Sequence, residues 1–285
     1  MAQTCPKGLG ARGAVLIPFQ SLLFVPGSRP ERFEKAMASG ADLVTIDLED
    51  AVGPADKDAA RDAALSAMGS PRLGIRINGL RTRQGLADLI AIAAIPRRPP
   101  FVMVPMVEAV AEIEIAHSVL GSQVALLPLI ETVQGLRVAD AIASASGVSG
   151  VMLGGADFAG ELGVAMSWDA LYAARAQIVT ACAAAKTPSI DAPWLDLDNL
   201  DDLADEIGRV KAMGFTAKSV VHPKHVDVVH RVMRPTREEI DEAYEAEAAY
   251  AAAGQSAVRF NGKMLEAPVM ARYRRIIAMP GVGNA

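Results

Sequence analysis

The chain has few of the features that mark secreted, membrane or nucleic-acid-binding proteins. Its 285 residues include two cysteines, Cys5 and Cys182, which are too few for a disulfide framework, so a reducing, cytoplasmic setting is expected. No apolar run approaches the roughly 18 residues that a membrane-spanning helix needs. The net charge of −5 supplies no basic surface for nucleic acid or for an anionic membrane. These absences favour an enzyme or binding protein for small molecules.

Several common motifs are also missing. Residues 1–20 carry positive charge, but their apolar stretch is short and contains Pro18, so they predict a flexible leader rather than a signal peptide. No G-x-G-x-x-G follows the first predicted strand, which argues against a doubly wound dinucleotide-binding sheet. No G-x-S-x-G occurs, and Cys182 lies within a helical pattern, so nucleophilic catalysis has little support.

The sequence is rich in short apolar runs, and apolar residues make up 51% of the chain. Eight of these runs read as buried strands, with a helical pattern after each, which is typical of a parallel sheet. They are residues 21–26, 43–48, 73–78, 101–106, 125–131, 150–154, 188–192 and 217–222. Eight such units predict a (β/α)₈ TIM barrel over residues 21–234. Residues 235–285 are then a C-terminal helical extension that caps its own or a neighbouring active site.

Two carboxylates at strand ends form the first candidate site. Glu131 and Asp157 each follow a buried apolar run, and the active sites of barrels lie at the C-terminal ends of the strands. One hard cation such as Mg²⁺ is held by one or two carboxylates and keeps positions open for substrate oxygens. The alternative is that each carboxylate pairs with an arginine inside the barrel.

A buried arginine and three acids end two other strands. Arg76 ends an apolar run and suits the bidentate recognition of a substrate carboxylate, although an internal pair with Asp47 or Glu49 is the alternative. Strand alternation puts Asp47 and Glu49 on one face and turns Asp50 elsewhere. Asp47 and Asp50 are therefore predicted to support the site by orienting metal-bound water, or else to be structural.

The first strand runs into a turn with basic residues. Residues 26–30 (PGSRP) are followed by Arg32 and Lys35, an arrangement that can bind phosphate at a helix N-terminus. A solvated basic face is the ordinary alternative. His117, His225 and His230 lack a metal-ligand spacing and are expected to be surface or packing residues.

Taken in order, these motifs resemble the citrate lyase β-subunit-like family, which includes the malyl-CoA and citramalyl-CoA lyases of the HpcH/HpaI aldolase superfamily. The resemblance covers nearly the whole chain after residue 20. The motifs that carry it are residues 21–32 (SLLFVPGSRPER), 47–52 (DLEDAV), 76–78 (RIN), 128–132 (PLIET), 154–158 (GGADF) and 218–223 (KSVVHP).

The resemblance implies roles for particular residues. Glu131 and Asp157 match the ligands of Mg²⁺, and Arg76 matches the arginine that grips the carboxylate and oxygen of the substrate. Positions that contact coenzyme A, as part of the substrate, match Phe24, Arg29 and Lys35. The resemblance also implies a homotrimer or homohexamer in which a C-terminal segment closes over an adjacent active site.

The chain departs from the family pattern at one position. The family's tail reads Gly-x-Met-hydrophobic-Asp-x-Pro, with the aspartate as catalytic acid or base, whereas residues 262–268 here read GKMLEAP. Glu266 keeps the carboxylate and adds one methylene, and displacements near 1 Å can change a rate about 10²-fold. The expected reaction is Mg²⁺-dependent cleavage or formation of the C–C bond of a carboxylated 3-hydroxyacyl-CoA. Alternatives are thioester hydrolysis of malyl-CoA, and a citrate lyase β-subunit acting on a carrier-protein thioester.

Overall fold

Eight short parallel strands form a closed barrel in the computed structural model, which describes residue 14 and residues 16–279. The strands are β1 (Ser21–Pro26), β2 (Leu43–Asp47), β3 (Leu73–Arg76), β4 (Phe101–Val104), β5 (Ala125–Ile130), β6 (Val151–Leu153), β7 (Ser189–Asp191) and β8 (Ala217–Val220). Each strand pairs in parallel with the next, and β1 also pairs with β8 through Ser21 and Lys218, which closes the ring. The predicted (β/α)₈ TIM barrel is confirmed.

Helices alternate with these strands. They are α1 (Phe33–Met37), α2 (Lys57–Ser66), α3 (Arg83–Ala94), α4 (Val110–Leu120), α5 (Val133–Arg137), α6 (Ala139–Ala143), α7 (Gly155–Leu162), α8 (Trp168–Ala185), α9 (Leu200–Met213) and α10 (Lys224–Met233). Thr82, Thr132 and Ser167 fix the starts of α3, α5 and α8, because each side chain accepts a hydrogen bond from the amide three residues later. The sequence did not predict α7, which begins directly after β6.

The strand residues alternate between two apolar clusters. The inner cluster fills the barrel and includes Leu22, Phe101, Met103 and Leu127, while their strand neighbours pack outward against the helices. Leu16 and Phe19 pack against the inner cluster. Residues 1–13 and 15 of the predicted leader lie outside the described residues.

A second compact unit begins at Arg234, after the barrel unit ends at Met233. It contains α11 (Arg237–Ala252), a hairpin of β9 (Val258–Phe260) and β10 (Lys263–Leu265), and α12 (Ala267–Ile277). The helices α11 and α12 are held together by apolar contacts and by the Arg274–Glu247 ion pair at 2.9 Å. Within the described residues, no helix has the length and apolar character required to span a membrane.

Candidate active site at the C-terminal end of the barrel

A cavity of about 390 Å³ lies at the C-terminal ends of the strands. Five of the predicted residues, each from a different strand or the segment after it, line the cavity: Phe24, Asp47, Arg76, Glu131 and Asp157. Asp50 also lines the cavity, whereas Arg29 and Lys35 do not. The apolar part of the lining includes Leu129 and Met152 from the barrel interior, with Pro193, Leu195 and Val221 from the loops after β7 and β8.

Glu131 follows β5 directly and is 2% exposed. Its Oε2 accepts a hydrogen bond of 2.7 Å from the backbone amide of Met106, in the loop after β4. Burial raises the pKa of Glu131 to about 7; the Met106 amide and Arg76 oppose this rise, and Asp157 and Asp50 add to it. The side chain is therefore a buried carboxylate short of positive charge.

Asp157 stands in the first turn of α7, one turn beyond the strand end that the sequence predicted. Partial burial and the charge of Asp50 raise its pKa, while Arg76 lowers it. Gly154 makes the approach of this helix to Glu131 possible. A β-carbon at position 154 would lie 2.1 Å from Cγ of Glu131, so any side chain there would displace the carboxylate.

The residues fit a divalent cation. Burial and nearby carboxylates disfavour ionisation of Glu131 and Asp157, and a cation held by the two residues would oppose both effects. No group of three or more potential ligands drawn from His, Cys, Asp and Glu occurs among the described residues. Two carboxylates nevertheless suit Mg²⁺, which keeps several waters and takes further ligands from the substrate.

Arg76 is 9% exposed and is held by acidic residues at the end of β2 and in the turn after it. Its Nε and Nη2 each donate to Asp47 at 2.7 Å, so the bidentate edge that the sequence assigned to a substrate carboxylate is paired internally. The remaining nitrogen, Nη1, lies 3.1 Å from Glu49 and 3.3 Å from Asp50. The guanidinium also lies 5.1 Å from the centre of the Phe24 ring, which places it between the acids and the apolar wall.

Glu49 and Asp50 do not follow the predicted strand alternation, because β2 ends at Asp47 and the chain then turns. Asp47 accepts the amides of Glu49 and Ala51, which closes this turn and brings Glu49 and Asp50 to the same side of Arg76. Burial raises the pKa of Glu49 to about 9, against the opposing charge of Arg76, and the neighbouring acids Glu131, Asp50 and Asp47 add to the rise.

The turn after β1 gives no formed phosphate site. A 3₁₀ turn, Pro30–Arg32, precedes α1, and α1 has only five residues, so no long helix dipole points at a ligand. Arg29 and Lys35 are exposed on this segment, and their assignment to coenzyme A stays a prediction.

Glu266 occupies the N-cap position of α12 in the second unit and is exposed. Its side chain makes no capping hydrogen bond, which leaves the carboxylate available to a ligand. Its role as acid or base stays a prediction.

Sequence reasoning missed a buried ion cluster between the barrel and its helices. Lys218 on β8 donates to Asp191 at 2.6 Å and to Glu206 at 2.5 Å. Arg175 on α8 donates to both oxygens of Asp191, at 2.8 and 3.2 Å. A lysine inside the apolar run of β8 was the available signal, since a fully buried lysine requires acidic partners.

The sequence is similar to a known family and to characterised proteins over most of its length. The family model for HpcH/HpaI aldolase/citrate lyase matches residues 20–223. The citrate lyase subunit beta-like protein of Mycobacterium tuberculosis is 33% identical over 268 residues, which are 91% of this chain and 94% of that protein. The (3S)-malyl-CoA thioesterase of Cereibacter sphaeroides is 31% identical over 87% of this chain and 90% of its own length.

A solved structure shows the same fold. The protein CitE from Mycobacterium tuberculosis, in complex with magnesium, acetoacetate and coenzyme A, superimposes with a TM-score of 0.80 at 31% identity. The match covers 91% of this chain and 97% of that chain. Because the family model covers residues 20–223 and a relative is 33% identical over 91% of the chain, the chain belongs to the HpcH/HpaI aldolase/citrate lyase family.

Proposed function

We propose that the protein is a Mg²⁺-dependent lyase that cleaves or forms the C–C bond of a carboxylated 3-hydroxyacyl-CoA, such as malyl-CoA or citramalyl-CoA. The observation that carries this proposal is a cavity lined both by Glu131, Asp157 and Arg76 and by apolar side chains. The acidic and cationic groups suit a hydroxy acid, and the apolar wall suits the rest of an acyl chain.

The metal site would be formed by Glu131 and Asp157. When bound there, Mg²⁺ supplies a Lewis acid for the carboxylate and the adjacent hydroxyl of the substrate. Glu131 is held for this role by the Met106 amide, and Gly154 keeps the space next to it clear. The magnesium, acetoacetate and coenzyme A bound by the CitE relative support this assignment.

Cleavage breaks the bond between the hydroxyl-bearing carbon and the carbon next to the thioester. The hydroxyl passes its proton to solvent water and becomes the keto group of the 2-oxoacid, while the electrons of the broken bond pass to the carbon next to the thioester, which forms an enolate. Arg76 would stabilise the negative charge on the substrate oxygen through the charge of its guanidinium, whose Nε and Nη2 are bonded to Asp47 and whose Nη1 lies beside Glu49 and Asp50. Protonation of the enolate carbon gives acetyl-CoA.

Glu266 is the proposed acid and base for that methyl group. Its carboxylate stands at the start of α12 with no internal hydrogen bond at the cap. In the condensation direction it removes a proton from the methyl group, and in the cleavage direction it returns one. The proposal includes its action on its own or a neighbouring subunit of a homotrimer or homohexamer.

Thioester hydrolysis is the second candidate, favoured by the similarity to the (3S)-malyl-CoA thioesterase and by the longer side chain at position 266. In that reaction the same cavity would hold the substrate, and a water would attack the thioester carbonyl. A β-subunit that acts on a carrier-protein thioester is the third candidate, in keeping with the citrate lyase β-like relative.

One product assay separates the candidates. Purified protein with Mg²⁺ is given malyl-, methylmalyl- and citramalyl-CoA, and 2-oxoacid, acetyl- or propionyl-CoA and free CoA are quantified separately. A lyase gives 2-oxoacid and acyl-CoA in equal amounts, whereas free CoA without 2-oxoacid identifies the hydrolase. Inactivity on every free CoA thioester, with activity on the acylated carrier protein, would identify a β-subunit that acts on a carrier-protein thioester. The Glu131→Gln variant and a chelator provide the metal-free controls.

A further inference from the structure

The loop after β4 holds one residue in an unusual backbone conformation. Met106 has a φ of 55°, in the left-handed region that side-chain-bearing residues rarely adopt. This conformation directs its amide N–H to Oε2 of Glu131, at 2.7 Å. Strained backbone of this kind persists when its surroundings impose it, and it concentrates at functional sites.

Arg81, from the loop after β3, holds the other side of the same residue. Its Nη2 donates to the Met106 carbonyl oxygen at 2.7 Å, its Nη1 pairs with the carboxylate of Glu108, and its Nε lies 3.3 Å from Glu112. Glu112 in turn accepts the amides of Glu108 and Ala109, at 2.7 and 3.1 Å. The loop after β4 is therefore held at the carbonyl of Met106, at the amides of Glu108 and Ala109, and at the side chain of Glu108.

We propose that Arg81 is a positioning residue for the metal site, acting through the main chain of Met106 on Glu131. The inference rests on the proposed role of Glu131 as a Mg²⁺ ligand. By donating to the carbonyl of Met106, Arg81 keeps Met106 in the left-handed conformation. That conformation keeps the Met106 N–H hydrogen-bonded to Oε2 of Glu131. The other carboxylate oxygen, Oε1, then stays in one orientation towards the cavity. Groups that orient a ligand in this way commonly change metal affinity about 10- to 100-fold when removed.

The chain offers a matched control. Arg98 also grips main-chain carbonyls, donating to Leu120 and Ala93 at 2.7 and 2.8 Å, but it lies in the loop before β4, at the opposite end of the strands. The Arg98→Ala variant removes a similar set of contacts from the barrel without touching the cavity. It therefore separates a general loss of stability from a loss of positioning.

The test measures Mg²⁺ binding to the full-length protein by titration calorimetry, with thermal unfolding recorded for every variant. We expect Arg81→Ala to raise the Mg²⁺ dissociation constant about tenfold, while Arg98→Ala leaves it within twofold of the unmodified protein at a comparable change in Tm. An unchanged affinity in Arg81→Ala would overturn the positioning role. Absence of Mg²⁺ binding by the unmodified protein would instead overturn the metal site itself, so the two failures are distinguishable.

A second pair of variants tests the backbone conformation directly. Met106→Gly keeps the left-handed conformation accessible, whereas Met106→Val disfavours it, because β-branched residues rarely adopt positive φ. We expect Met106→Val to weaken Mg²⁺ binding at least as much as Arg81→Ala, and Met106→Gly to weaken it less than threefold. Equal affinities in the two variants would show that the left-handed amide does not orient Glu131.

Discussion

Two groups of charged side chains in the barrel differ in how their charges are balanced. In the cluster of Arg175, Asp191, Glu206 and Lys218, two cations face two anions, and Lys218 and Arg175 lower the pKa of Asp191 against the effect of burial. In the cavity, four carboxylic side chains (Asp47, Asp50, Glu131, Asp157) share the lining with one guanidinium, Arg76, and the pKa values of Glu131 and Asp157 are raised. The first group has as many cations as anions, whereas the second has more acids than cations.

This difference separates structural charge from functional charge. Both groups contain a buried arginine with a bidentate aspartate, so the ion pair alone does not distinguish them. The distinguishing feature is the excess of acid around Arg76, since an uncompensated buried charge is costly unless something binds to it.

The largest expected effect is on catalysis. Glu131→Gln should lower kcat/KM by about 10³-fold or more, because metal stabilisation of transition-state charge is worth several kcal/mol. The free energy of unfolding of the metal-free protein should stay the same or rise, since a buried carboxylate lacking compensation is removed. Steady-state kinetics and urea unfolding measure the two quantities. A variant that loses stability while keeping activity would reverse the roles assigned to the two groups.

The ion cluster should respond in the opposite way. Lys218→Met leaves Asp191 and Glu206 to share Arg175, and breaking a buried ion pair costs about 3–5 kcal/mol of unfolding free energy. The double variant Lys218→Met/Glu206→Gln removes one charge of each sign and should recover part of that loss. Urea unfolding gives both values. A loss below about 1 kcal/mol in the single variant would mean that the cluster is not a structural anchor.

The pH dependence sharpens the contrast. Glu131 titrates at about 7 in the metal-free protein, above its ordinary value of 4.5. Mg²⁺ requires the ionised carboxylate of Glu131, so the Mg²⁺ dissociation constant should rise about tenfold per pH unit below 7 and level off above pH 7.

The stability of the metal-free protein should also depend on pH. At Glu131 the folded state binds more protons than the unfolded state does, so Glu131 makes the free energy of unfolding fall as pH rises from 4.5 through 7. Asp191 has a lowered pKa and should contribute no change in stability over that range. Calorimetric titrations and urea unfolding between pH 5 and 8 test both expectations, and a flat Mg²⁺ affinity would contradict the first.

The smallest effect concerns Glu49, one of the three acids beside Arg76. Burial raises the pKa of Glu49 to about 9, so Glu49→Gln replaces a neutral carboxylic acid with a neutral amide of the same shape. The change in unfolding free energy at pH 7 should be less than about 1 kcal/mol. Asp47→Asn is the matched control, because it breaks a bidentate ion pair and should cost about 2 kcal/mol more. Equal losses in the two variants would show that Glu49 carries a charge in the folded protein.

The strands were predictable because each is a short apolar run bounded by Gly, Pro or charged residues. All eight predicted strands form, and a helix follows each of them, as the sequence predicted. The strand ends were less accurate, because the parallel pairing stops before the apolar run does. The run at residues 43–48 thus forms a strand that ends at Asp47, and the acids after it leave the alternating pattern.

The cavity was predictable in composition but not in detail. Glu131, Asp157 and Arg76 were identifiable as polar residues that end buried runs, and all three line the cavity. The hydrogen bond from Met106 to Glu131 was not predictable, since a methionine carries no signal for a left-handed amide. The same holds for Arg81, an ordinary loop arginine whose partners come from a neighbouring loop.

Gly154 also has a consequence for protein engineering. Its missing side chain is the space that Glu131 occupies, so the acidic half of the cavity can accept almost no added volume. Leu195 and Val221, which line the cavity from the loops after β7 and β8, are 55% and 38% exposed, and substitutions there should cost little stability. Directed evolution towards bulkier or smaller ligands should therefore accumulate changes on the loops after β7 and β8, with the acidic half left as it is.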